Sequence, residues 1–574
     1  MSYSSDPKRS RSTELTGGEG FTYEDLVVAN YLAALLHEDA AGGIEGTVCR
    51  VAVQQHSQGE PLDDLVVDAL LASEPRRLSL QVKRELTISA AISNNDFREL
   101  IANAVATRAK GDFRVGTDRY GFVARRVGDD RFNALQRIIG WAQSSPTVAE
   151  FVSRFTPGRE ASKDVIDLRH ELRTLIKPTS DEQEADFYRH FVALRMDGLE
   201  PPGDRWAALT NRLGQLTKAG QAEGPAFARI LCNQVRFGEG VAKVWTRPSL
   251  LAELRLLLPL KVAPSYASDI AILNDLATKS ALDIRQDIAG LSIDRSALVD
   301  SAEATASRFK LSNISGLPGC GKSVVLRGLV ERAAACGPLL FIKSDRIEAG
   351  SWATFATSIG LQHRSADALL AEIGAIGTPI LFIDGIDRIR PEHRGVITDL
   401  LQTIALNPSL AHWRVIASSR DQGLEPFRQW VPPSFYQATG IGDVQVGLLS
   451  DDEAEQLANA KPHLRRILFG APAVQEIARR PFFAAVLADQ FSDAARAGDI
   501  PPQTEGELIT AWWRAGGYNA APDDVLGRQR AIIDFAEAGA ASLGKAIPAR
   551  RLATRRPTAE KKRATSWQIR RQAA

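Results

Sequence analysis

Residues Gly316-Leu317-Pro318-Gly319-Cys320-Gly321-Lys322-Ser323 fit G-x-x-x-x-G-K-[ST], and they lie between two segments of different periodicity. Upstream, Lys310-Leu311-Ser312-Asn313-Ile314-Ser315 alternates as a strand does. Downstream, Lys322 to Ala335 places Val325, Leu326, Leu329, Val330 and Ala333 on one side, the spacing of a helix, and Cys336-Gly337-Pro338 stops it. A strand, a glycine turn and a helix in that order commit this part of the chain to an α/β unit that holds phosphate. Glycines let the backbone curl until several N–H groups point at one anion, and the helix N-terminus adds its partial positive charge. In this pattern Lys322 reaches the β- and γ-phosphates and the Ser323 hydroxyl holds Mg²⁺. Gly316, Pro318, Gly319, Cys320, Gly321 and Val324 complete the expected nucleotide contacts.

A phosphate loop needs a second strand that ends in a carboxylate. Thr378-Pro379-Ile380-Leu381-Phe382-Ile383-Asp384 is an apolar run ending in an acid, as expected of a central parallel strand covered on both faces. Asp384 falls where open α/β sheets bind ligands and is expected to hold the metal; Asp387 would orient water or assist. A third strand, Trp413 to Arg420, would bring Arg420 towards the γ-phosphate. A fourth, Gln445 to Leu449, leads into Ser450-Asp451-Asp452-Glu453, a capping box that opens another helix.

Together, GLPGCGKS, ILFIDGID, VIASSR and VGLLSDDEAEQLA resemble the STAND class of P-loop NTPases, which includes NACHT and NB-ARC proteins. The D-G-hydrophobic-D signature is similar to NACHT. The resemblance spans roughly residues 291–543 and implies ATP and Mg²⁺ as cofactors. It also implies a homo-oligomer on activation, a phage-derived or other protein trigger, and a lid helix whose proline, here Pro481 in Arg480-Pro481-Phe482-Phe483-Ala484, packs near the base. Two departures point to a slow switch rather than a motor. Gly385 stands where AAA+ proteins usually carry a glutamate, and Arg388 stands where many NACHT proteins carry an acid.

The N-terminal region alternates helix and strand patterns. Tyr23 to Leu32 reads as a helix with Glu24 in its first turn, and Thr47 to Val53 as a strand. Pro61 to Val67 puts Asp63 and Asp64 at the start of another strand, and Arg77 to Lys83 is a third. Along that strand Ser79, Gln81 and Lys83 share a face because side chains alternate. Asn95 to Thr107 is helical and Arg119 to Ala124 a further strand.

This order resembles the PD-(D/E)xK nucleases, in the variant where glutamine replaces the third acid, and within them the nuclease domains fused to bacterial antiviral NTPases. The resemblance implies Mg²⁺-dependent phosphodiester hydrolysis of double-stranded DNA. Asp64 would be the main metal ligand, with Asp63 its rival. Gln81 would offer a carbonyl oxygen, which hard cations accept, and Glu24 would complete the shell. Lys83 would orient water or stabilise the phosphorane. Arg76, Arg77, Arg84 and Arg98 are candidates to meet DNA phosphates.

At 574 residues the chain exceeds what one core sustains. The expected fold class is multidomain α/β with six parts. Residues 1–20 form a flexible leader and 21–127 a restriction-endonuclease-like α/β core. A helical middle follows over 128–290, then a parallel-sheet P-loop NTPase over 291–460. A helical lid or winged-helix-like region over 461–548 precedes a basic disordered tail over 549–574. A net charge of +1 gives no global field that selects nucleic acid or membrane. The four cysteines form no C-x-x-C pair, and neither a leader-like apolar segment nor a membrane-length apolar run occurs, so a cytoplasmic protein is expected. The leading expectation is a nucleotide-regulated DNA endonuclease of antiphage defence. A scaffold NTPase that binds DNA or a partner without cutting, and an ATP-dependent restriction enzyme, stay open.

Overall fold

The computed structural model describes residues 21–156, 158–420 and 431–490, with positions 506, 507, 510, 530 and 533. The expected leader, the basic tail and most of the expected lid region beyond 490, with its Trp512-Trp513 pair, lie outside the described residues.

The N-terminal module is built around helix α1, Tyr23–His37. Thr22 caps it: the Thr22 hydroxyl accepts from Asp25 N and the Asp25 carboxylate accepts from Thr22 N, an arrangement that stabilises a helix start by about 1 kcal/mol. Past this cap α1 is apolar on nearly every side, Asn30 and the terminal His37 excepted, and Val27, Val28, Ala29, Tyr31 and Leu32 retain no exposed surface. A helix without a polar face must lie inside.

The sheet consists of β1 (Thr47–Val53), β2 (Leu65–Leu71), β3 (Glu74–Leu86), β4 (Arg119–Val127), β5 (Phe191–Arg195) and β6 (Val244–Thr246), in the order β5-β4-β3-β2-β1-β6. The β6-β1-β2-β3 pairs are antiparallel and the β3-β4-β5 pairs parallel. Leu78, Leu80 and Val82 of β3 join the core around α1, while Tyr120, Phe122 and Ala124 of β4 join a second core on the other face.

This sheet corrects the expected helical middle. Residues 128–290 do not form a separate helical part: they supply β5 and β6, and their helices supply much of the cover for both faces. The amphipathic helices were readable, but strands as short as Phe191–Arg195 and Val244–Thr246 carry too few residues to show a period of two.

The second module is a parallel sheet of β9 (Leu311–Ser315), β10 (Leu340–Lys343), β11 (Ile380–Asp384), β12 (Arg414–Ser418) and β13 (Gly442–Gln445), after a small hairpin of β7 (Asp287–Ile288) and β8 (Leu291–Ser292). The order is β10-β11-β12-β9-β13, so β12 separates the strand before the glycine loop from the strand that ends in Asp384. β10 was not anticipated; its four residues are all buried. The strand expected at Gln445 to Leu449 forms earlier, at Gly442–Gln445, opposite Ser312–Ser315. Val446 N still reaches Ser315 O at 2.8 Å. The ladder ends there because its partner turns away at Gly316, where a Cβ would come within 2.4 Å of Val446 O.

The modules share one core. Residues of α1 and of β1 to β3 belong to the same buried cluster as Leu369, Leu370 and Ile373 of the helix Ala366–Ile376. Within this interface Arg247 Nη2 lies 2.6 Å from Glu372 Oε2, with both side chains buried. Arg247 Nε also donates to Leu36 O near the end of α1, and Glu372 Oε1 accepts from Ala263 N. Beside this pair Tyr266 stacks on His363 at 4.1 Å between ring centres, and its hydroxyl donates to Glu38. Among the described residues no helix is long and apolar enough to cross a membrane.

Candidate functional site

Two sites emerge, one at the end of each sheet. In the second module β9 runs into the glycine loop, where Gly316, Gly319 and Gly321 have φ of 145°, 82° and 95°. A side chain is strained at these angles, and the helix Lys322–Cys336 starts directly behind Gly321. Lys322 Nζ donates to the loop carbonyls of Gly316 and Leu317. Ser323 Oγ donates to Asp384 Oδ1 at 2.8 Å, and Ser418 Oγ donates to the same oxygen at 2.7 Å while accepting from Gly385 N. The serine and acid of the expected Mg²⁺ site are thus in direct contact, one from the first turn of the helix behind the loop and the other from the end of β11. Their oxygen donors suit a hard cation. Pro318 is exposed, Cys320 is buried and Val324 lies in the first turn of the helix.

Asp387 pairs with Arg420 Nε at 3.3 Å, which holds the arginine at the edge of this site. The helix Pro481–Gln490 docks its N-terminus on the loop: Phe482 N donates to Gly319 O at 3.1 Å. A Cβ on Gly321 would lie 3.9 Å from Pro481 Cγ, so Pro481 sits against the glycine loop. Sequence reasoning missed Arg295. Its Nη1 donates to Cys320 O at 2.6 Å and its Nε to Glu453 Oε1 at 2.8 Å, joining the loop to the helix Asp451–Ala460. Gly385 has φ of 72°, and a Cβ there would meet Ser344 Oγ at 2.8 Å. Backbone and packing therefore both disfavour a glutamate after Asp384.

At the N-terminal site Asp64 accepts from Val82 N at 2.8 Å and from the Gln81 side-chain amide. Burial is the largest influence on the Asp64 carboxyl and pushes it up to about 6, while the Val82 N–H and the Lys83 charge act to lower it. Glu24, at the start of α1, accepts from Gln54 Nε2 at 3.1 Å. Its carboxyl is held well above the usual range, first by burial and then by the charge of Asp64. The carboxyl of Asp63 is also raised by burial, and the Lys83 charge acts against the rise. Asp64 and Gln81 are thus in contact, the charge of Asp64 is felt by Glu24, and the charges of Asp63 and Lys83 are felt by Asp64. Glu239 ends the helix Gly224–Glu239; burial pushes its carboxyl up to about 7, aided first by the charge of Asp25 and to a smaller degree by that of Asp64. No spacing in the sequence links Gln54 or Glu239 to the others.

Among the described residues no three His, Cys, Asp or Glu side chains are close enough to hold a metal by themselves. A cation here would draw on the Gln81 amide oxygen and main-chain carbonyls as well as Asp64. Such an all-oxygen donor set fits Mg²⁺. The arginines expected to meet DNA are tied into the fold. Arg76 pairs with Glu45 at 2.7 Å, Arg77 with Asp68 at 2.8 Å and Arg84 with Glu200 at 3.5 Å, and Arg98 donates to Ala90 O.

The parallel sheet, the glycine loop and the Ser323–Asp384 contact give the second module the fold of a P-loop NTPase. No protein-family model and no curated protein matches the chain. Similar solved structures include the Walker-type ATPase of Pyrococcus abyssi, at 17% identity and a TM-score of 0.27, covering 48% of this chain and 91% of that one. The Cap4 SAVED/CARF-domain receptor of Acinetobacter baumannii with the cyclic trinucleotide 2'3'3'-cAAA is similar at 11% identity and a TM-score of 0.25, covering 69% and 67%. The Aeropyrum pernix ORC1 protein in complex with DNA is similar at 13% identity and a TM-score of 0.25, covering 46% and 82%. These likenesses are remote, and the reading below rests on the chain's own residues.

Proposed function

We propose that the chain is a nucleotide-controlled, Mg²⁺-dependent deoxyribonuclease. In this reading a STAND-type switch in the second module governs a PD-(D/E)xK-type centre in the first, in antiphage defence. What supports the reading is the contact of Asp64, just before β2, with Gln81 on one face of β3, with Glu24 of α1 and Lys83 of β3 in electrostatic reach of Asp64. A helix, a strand start and a strand face distant in sequence have no packing reason to gather half-buried acids, an amide and a lysine. Bound Mg²⁺ would polarise the scissile phosphate and supply a nucleophilic water. Asp64 and Gln81 would hold the ion, Glu24 would support it, and Lys83 would meet charge on the phosphate. At the other site Lys322 and the loop N–H groups would hold ATP, with Ser323 and Asp384 holding its Mg²⁺. The conformation of Gly385 supports a slow switch over a motor, because it leaves no room for an acid at that position. Duplex DNA, a protein trigger and an activated homo-oligomer are the partners this reading entails.

The test is cleavage of supercoiled duplex DNA by the purified chain with Mg²⁺, with and without ATP. Cleavage is expected to vanish in Asp64→Asn; cleavage that persists would place the activity elsewhere. Duplex binding without metal-dependent cleavage under every nucleotide condition would favour the binding-module alternative. For the second site, Lys322→Ala with Ser323→Ala is expected to weaken binding of a fluorescent ATP analogue by roughly 100-fold or more, since charge-assisted phosphate contacts are lost. Unchanged affinity would remove both residues from the nucleotide site.

A further inference from the structure

Gln54 follows β1 directly and is one of few non-glycine residues of the structure in the left-handed region, with φ of 52°. A side-chain-bearing residue held there costs of order 1 kcal/mol and persists only where its surroundings impose it. What imposes it here is visible. Gln55, the next residue, is buried, and its amide nitrogen donates to Val53 O at 2.8 Å and Ala242 O at 2.9 Å. Gln55 N also donates to Asp63 O at 3.1 Å. One turn is thus fastened to β1, to the segment before β6 and to the residue preceding Asp64.

The strained turn aims the Gln54 amide at Glu24, with Nε2 3.1 Å from Oε1. The oxygen Oε1 accepts, so it is the nitrogen of the Gln54 amide that faces Glu24. Glu24 gains from such a tether, because it is a half-buried acid in the field of Asp64, and the Gln54 amide is the side-chain partner that fixes its carboxyl. We propose that Gln54 is a positioning residue of the N-terminal site, holding Glu24 towards Asp64 so that both face one divalent cation. The inference rests on the metal-centre reading above and adds a residue that reading does not require.

The experiment separates strain from side chain. Gln54→Gly removes the amide and is at ease at positive φ, whereas Gln54→Ala removes the amide and keeps the strain. Mn²⁺ binding to the full-length chain without nucleotide is followed by electron paramagnetic resonance. The site is defined as the component that Asp64→Asn abolishes. Gln54→Gly is expected to melt no lower than wild type yet to bind this component at least tenfold more weakly; Gln54→Ala is expected to show the same loss at a lower melting temperature. An unchanged Mn²⁺ affinity in Gln54→Gly overturns the role of Gln54 while leaving the metal centre standing. A wild-type chain with no Asp64-dependent component overturns the metal centre, and this role with it.

Discussion

Lys83→Ala is expected to slow metal-dependent cleavage of duplex DNA by roughly 10²–10³-fold, the usual loss when a group that stabilises transition-state charge is removed. The physical ground is placement: Lys83 is half-buried on β3, and its charge is felt by both Asp63 and Asp64. Its removal opens no apolar cavity, so the melting temperature should hold within a few degrees. Lys83→Arg keeps the charge but replaces a compact ammonium by a planar fork, and it should recover DNA affinity better than rate. Nicking of supercoiled DNA measures the rate, and fluorescence anisotropy with a labelled duplex in Ca²⁺ measures affinity. A Lys83→Ala chain that cleaves at the wild-type rate would remove Lys83 from the chemistry.

Glu372→Ala carries the largest expected effect on stability. It leaves the buried Arg247 guanidinium without its carboxylate and Ala263 N without its acceptor. Breaking a buried pair from one side costs about 3–5 kcal/mol, mostly through the charge left behind. Removing both charges is a different matter. Arg247→Met with Glu372→Leu fills similar volume with apolar atoms and should recover most of the loss. Urea unfolding followed by tryptophan fluorescence reads both variants. A double variant as unstable as Glu372→Ala would show that the contacts of Arg247 with Leu36 O and the Tyr266 ring matter more than the charge pair.

The glycine loop and the strand ending in Asp384 could be read from sequence because their chemistry is local. Three glycines with positive φ must be glycines, and a doubly covered strand must be apolar. Glu24, Asp64, Gln81 and Lys83 could be grouped into one expected site only through a resemblance, since no spacing within the sequence links the elements that carry them. What escaped depends on partners remote in the chain. Gln54 and Glu239 are unremarkable polar residues until β1 and the helix Gly224–Glu239 bring them beside the acids of α1 and β2. Arg295 looks like any arginine before a helix until Cys320 O and Glu453 close on it. For the four arginines expected to meet phosphates, sequence shows a charge but not the carboxylate or carbonyl that holds it in the fold.

The buried contact between Arg247 and Glu372 also bears on inheritance. A chain of independent beads can exchange one effector for another by recombination in a linker. Here an exchange that replaced everything through the helix Arg247–Leu254 would strand Glu372 in an apolar interface without its cation. It would also leave the shared core half covered. A foreign module could dock only if it brought a matching arginine and a matching apolar face. The two modules of this chain are therefore a co-adapted pair, and relatives that carry a different N-terminal module should differ at position 372 as well.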